Sequence, residues 1–128
     1  MLDYARVRAV QILQPARRVV LATHGPAGLQ LAEFPCQAVD LDLYLLLPWT
    51  SDHLFNLEHD PCVTLLTPSW ELKGQARLIS STPPDLDLDL LREPAAAWSA
   101  LLQVTPSRIQ VRRSQGWGYL ETLELKSA

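Results

Sequence analysis

Seven short runs of β-branched and apolar residues follow one another along this chain, separated by turn-forming residues, and that rhythm limits the possible fold more than any other feature. The runs cover about Arg18 to Thr23, Leu29 to Val39, Leu43 to Pro48, Cys62 to Thr67, Trp70 to Ser80, Ser107 to Arg113 and Trp117 to Leu125. His24-Gly25-Pro26-Ala27-Gly28 and Asp40 to Asp42 read as tight turns, so the first three runs predict antiparallel hairpins. Leu43 to Pro48 is nearly continuous in apolar residues and predicts a buried strand. Gly74 interrupts a strand pattern, which predicts a bulge or the close approach of another group. The spacing lacks the regular β–α alternation of a doubly wound sheet. Many short strands with few helices predict a small barrel or sandwich, and closure of a sheet removes exposed edges.

Three helices are expected around these strands. Asp3 caps one that runs to about Gln14, where Pro15 stops it. A second covers about Asp52 to His59, with Leu54 and Leu57 spaced i, i+3 on its buried face and Asp60-Pro61 ending it. A third is expected to start at Pro94 and to pack through Pro94, Ala97, Trp98, Leu101 and Leu102. The polar stretch from Ser81 to Glu93 reads as loop or a ragged helical turn. At 128 residues the chain is expected to form one domain, with residues 1–14 as an N-terminal helix and 15–125 as the barrel.

Composition removes several functions. A formal net charge of −3 supplies no basic stripe for nucleic acid. The N-terminus lacks the apolar core of a signal peptide, and the longest apolar run, Leu43 to Trp49, is too short to span a bilayer. A soluble, cytoplasmic protein is expected, with Cys36 and Cys62 as reduced, buried thiols. Gly116-Trp117-Gly118 lacks the third glycine of a dinucleotide fingerprint. Asp85, Asp87 and Asp89 resemble the start of a calcium loop, but Leu90 and Ala96 stand where its glycine and glutamate belong. His53 and His59 fall on different sides of their helix and make a poor metal pair.

The most specific stretch runs from Thr50 to Leu66. A buried strand opens into a helix whose start carries two hydroxyls, Thr50 and Ser51. Such a start attracts anions, and the same hydroxyls serve equally as caps. Both readings stay open on the pattern alone.

Thr50-Ser51, Asn56-Leu57, Asp60-Pro61 and Val63-Thr64-Leu65 together resemble the strand-to-helix segment of the FMN-binding split β-barrels related to pyridoxamine 5′-phosphate oxidase. Leu21-Ala22-Thr23 followed by Gly28 is similar to that family's first hairpin. Gly74-Gln75-Ala76 and Pro106-Ser107-Arg108-Ile109 are similar to two of its later strands. These pieces occur in family order over about residues 17–125. The resemblance implies a mainly β, antiparallel, Greek-key-like split barrel that forms a homodimer, with FMN at the subunit interface and a small-molecule substrate. It places the phosphate grip on Thr50, Ser51 and His53. It puts the ring against the run from Leu29 to Cys36 with Trp70 and Lys73 nearby, and it adds Arg113 and Trp117 from the last strands. Trp117 reads equally as a core or dimer contact.

The chain departs from that family at the grip. His53 stands where a lysine or arginine is usual, and Asp52 where a basic neighbour is common. A histidine, near-neutral at pH 7, removes most of the charge pairing with a dianionic phosphate. Gln30 also replaces the family's proline after the turn glycine. Three functions therefore remain: an FMN-dependent oxidoreductase, a flavin-free dimeric binding or structural module, and a barrel that holds a tetrapyrrole or other flavin-like ligand.

Overall fold

The computed structural model describes residues 3–82 and 85–125. Its strands are β1 (Arg18–Thr23), β2 (Gln30–Val39), β3 (Asp42–Pro48), β4 (Cys62–Leu66), β5 (Trp70–Ile79), β6 (Ser99–Arg112) and β7 (Tyr119–Glu124). Helix α1 spans Tyr4–Leu13 and α2 spans Asp52–His59. The strands lie in the order β3-β2-β1-β4-β5-β6-β7, every pairing is antiparallel, and β3 also pairs with β6. Six strands thus close into a barrel, and β7 extends it beside β6. The architecture is a split β-barrel, as expected.

Alternation explains the interior. Val19, Leu21 and Thr23 of β1 are buried and their neighbours less so, and Val63 and Leu65 of β4 follow the same period. Leu45, Leu65, Leu72 and Leu102 are fully buried at the centre. Helix α1 adds Ala9 and Leu13 to this core, and its N-cap Asp3 accepts from the Ala5 N–H at 3.0 Å. Burying each such leucine contributes about 1.5–3 kcal/mol. Strand β3 breaks the alternation, because Leu43 to Leu47 are all buried. Its outer side chains, Tyr44 and Leu46, pack with Leu88, Leu90 and Leu101 in a second cluster. Leu86, Leu88 and Leu90 therefore cover a sheet face, and Gln37 Oε1 fastens them by accepting from the Leu90 N–H at 3.0 Å.

Three expectations need correction. The helix from Pro94 is only a 3-10 turn, Pro94–Trp98, after which the chain enters β6. Leu101 and Leu102 belong to that strand, paired with Leu46 and Leu45 of β3 and with Ile79 and Leu78 of β5. Without this segment the barrel would not close, so ladder formation overrides the helical spacing. The last strand starts at Tyr119 rather than Trp117, because Gly116 and Gly118 take positive φ in the preceding turn. Cys62 is exposed rather than buried, since it points to the outer side of β4; Cys36 is buried, and both thiols are free.

Gly74 behaves as the strand pattern predicts. The β5–β6 register shifts between Lys73 and Gly74, and a Cβ at Gly74 would collide with the Thr105 carbonyl oxygen.

Candidate functional site

Helix α2 begins with every nearby backbone donor from Ser51, His53 and Leu54 already engaged. Ser51 N–H donates to the Pro48 carbonyl at 2.9 Å, and Leu54 N–H donates to the Ser51 carbonyl at 3.1 Å. Ser51 Oγ is the N-cap and accepts from the His53 N–H at 3.2 Å. Thr50 is exposed beside it. Asp52 sits in the first turn, where its carboxylate already complements the positive end of the helix.

The His53 side chain does not project from this mouth. It is 4% exposed, lies edge-on to Phe34 with ring centroids 5.4 Å apart, and brings Nδ1 within 2.7 Å of Thr23 Oγ1. Burial lowers its pKa below 6.5, and the nearby Asp52 only partly opposes that shift. The shift favours the neutral imidazole. The neighbouring buried polar residue on the same helix, Asn56, is bonded to Thr23 and to the turn between β1 and β2.

A separate open groove of about 1080 Å³ is lined by residues of β1, β4, β5 and β6. Its lining combines cations (Arg6, Lys73 and Arg77) and carboxylates (Asp40, Asp42 and Asp60) with polar side chains (Thr64 and Gln75) and apolar ones (Ala22 and Pro106). Thr23, His24 and Leu29 form one rim. Among the described residues Lys73 makes no ion pair, whereas Arg77 Nε donates to Gln103 Oε1 at 2.8 Å. The size is at the upper end of small-molecule pockets, and mixed polar and apolar walls are what such ligands use.

The residues singled out from the sequence fall in four places. Thr50, Ser51 and His53 share the start of α2. Lys73 lies in the groove. Trp70 is buried and lines a small pocket with Arg8, Ile12 and Ala16 on the side of α1. Arg113 and Trp117 occupy the β6–β7 turn, where Arg113 N–H donates to the Gly118 carbonyl at 3.3 Å and Trp117 is 97% exposed. One chain does not bring these groups together. The sequence reading missed Thr23, Asn56 and Arg77 as parts of the site. Thr23 and Asn56 had a signal: each is a polar residue at a position whose period points to the core.

No family model matches the chain, and no curated protein is similar to it by sequence. Solved structures are similar in fold. General stress protein 26 from Bacillus anthracis superposes with a TM-score of 0.68 at 18% identity, covering 92% of this chain and 97% of the other. A protein related to general stress protein 26, of the pyridoxinephosphate oxidase family, from Clostridium acetobutylicum gives 0.67 at 13% identity, covering 98% and 96%. An FAD-binding protein from Mesorhizobium loti gives 0.60 at 12% identity, covering 84% and 92%. The fold is the split barrel of the pyridoxinephosphate oxidase-like proteins.

Two parts of this split barrel can be compared with a flavin nucleotide. The α2 mouth fits a doubly negative phosphate poorly: the Ser51, His53 and Leu54 N–H groups are engaged, its histidine is turned inward, and Asp52 adds repulsion. The groove fits better: it has the volume and sets Arg6, Lys73 and Arg77 beside an apolar wall, although Asp40, Asp42 and Asp60 also line it.

Proposed function

We propose that this chain is a flavin-binding split-barrel protein that acts as a homodimer in redox chemistry on a small molecule. The observation that carries the reading is the groove of about 1080 Å³ with Lys73 unpaired among the described residues. In this reading Lys73 and Arg77 hold the FMN phosphate, replacing the cation that the start of α2 lacks. Ala22, Leu29 and Pro106 exclude water from the ring, and Thr64 and Gln75 offer hydrogen bonds to its polar edge. Bound flavin would supply hydride transfer, and the protein would supply position and electrostatics. Leu29 and Leu31 beside β1, together with Trp117 and Leu120 at the β6–β7 turn, are exposed apolar groups that a second copy would cover.

The test is the absorbance spectrum of the purified protein, followed by FMN titration of the native chain and of Lys73→Met. Flavin bands, or uptake that Lys73→Met weakens by about tenfold, support the reading. A colourless protein that takes up no added FMN ends it. Sedimentation velocity tests the dimer, and a monomer at micromolar concentration removes that part.

A second reading, a flavin-free binding module, is favoured by one observation: His53 at the start of α2 turns inward rather than towards a ligand. It predicts no flavin uptake together with an intact dimer.

A further inference from the structure

The turn from His24 to Gly28 is held to α2 by side-chain hydrogen bonds. Asn56 is fully buried, and three groups around it use both ends of its amide. Its Oδ1 accepts from the Ala27 N–H at 2.9 Å, and its Nδ2 donates to the Gly28 carbonyl at 2.9 Å and to Thr23 Oγ1 at 3.1 Å. Gly25 lies so close that a Cβ there would stand 2.8 Å from Asn56 Oδ1. Thr23 Oγ1 in turn meets His53 Nδ1 at 2.7 Å.

Proton counting assigns the roles. Thr23 accepts from Asn56, so the single hydroxyl hydrogen is free to donate to His53 Nδ1. That requires Nδ1 to be bare and the ring proton to sit on Nε2. If Nδ1 were protonated, Thr23 Oγ1 would accept from both His53 and Asn56, and its own hydrogen would have no acceptor among the described residues.

We infer that His53, Thr23 and Asn56 are positioning residues that clamp the β1–β2 turn onto α2 and thereby fix the Thr23, His24 and Leu29 rim of the groove, and that protonation of His53 releases the clamp. The residues packed on His53 from β1 and β2 in these contacts are Thr23 and Phe34, both uncharged, and the charged group that acts on it is Asp52 of its own helix. This device rests on contacts within the chain and holds whether or not flavin is the ligand.

Nitrogen-15 spectra of labelled full-length protein near pH 7.5 should show His53 as the Nε2–H tautomer. Amide hydrogen exchange should show Ala27 protected. Thr23→Val should raise Ala27 exchange by about tenfold while β5 and β6 amides stay protected, and Thr23→Ser should restore it. On acidification, Ala27 protection, corrected for the intrinsic rate, should fall in step with His53 titration. A proton on Nδ1 would overturn the inference without needing any variant. So would Ala27 exchange that ignores Thr23→Val or the titration of His53.

Discussion

Replacing Gly74 with alanine should destabilise the barrel, although on an unstrained strand the same change stabilises by about 0.4–1 kcal/mol through the unfolded chain. The reason lies in the β5–β6 seam. Lys73 pairs with Arg108 and Gly74 with Pro106, so Ser107 is an extra residue that bulges out, its Oγ donating to the Lys73 carbonyl at 3.0 Å. The bulge drives the Thr105 carbonyl towards Gly74. A new Cβ would collide with that oxygen and lie 3.1 Å from Pro106 Cα. Both obstacles are backbone atoms in a barrel wall, and neither can rotate away. Relief requires β5 and β6 to part locally, which adds about 1–3 kcal/mol of overpacking to one or two ladder bonds of about 1 kcal/mol each. The expected loss is about 3 kcal/mol, a large share of the roughly 5–15 kcal/mol that holds a domain of this size. Urea unfolding followed by tryptophan fluorescence should show a lower midpoint at an unchanged slope. A Gly74→Ala midpoint equal to or above that of the native chain would refute the close-approach argument.

Three further outcomes follow from the buried polar groups and the thiols. Asn56→Ala strands the Ala27 N–H and the Gly28 carbonyl, both near solvent, so a loss of about 2–3 kcal/mol is expected in the same unfolding assay. His53 has a folded pKa below its ordinary 6.5, so the native state binds fewer protons than the unfolded chain. Stability should therefore rise with pH between that lowered value and about 6.5, and fall on acidification through the same window; a flat profile there contradicts the buried, neutral ring. Burial pushes the Cys36 thiol up to about 11, while Cys62 is exposed and the Asp60 carboxylate beside it raises its thiol too. A thiol reagent should label one cysteine in the native protein, at Cys62 and slowly, and two after unfolding.

Much of the barrel was legible because its strands carry their own signatures. The period-two burial of Arg18 to Thr23, the turn glycine at 28 and the continuous run before Pro48 each state a local conformation and the number of faces to be covered. The region from Pro94 to Leu102 was not legible in the same way. Ala and Leu at helical spacing satisfy a helix locally, and only the need to join β3 to β5 turns Ser99 to Leu102 into strand. The candidate site divides along the same line. Ser51 could be read as a cap, and it is one. His53 was placed at the mouth by its position in a motif, but its direction depends on Thr23, thirty residues away, which the motif does not contain.

The amino-acid order alone therefore determined the strand series apart from the first half of β6, the helices α1 and α2, the bulge glycine and the absence of a fixed cation at the start of α2, because these depend on neighbours within a few residues. Folding in three dimensions decided where the polar side chains of α2 point and which cations share a groove. Lys73 and Arg77 come together with Thr23 and Leu29 only when β1, β4 and β5 lie side by side. The inward turn of His53 likewise exists only because the β1–β2 hairpin packs against α2 and offers it a hydroxyl partner.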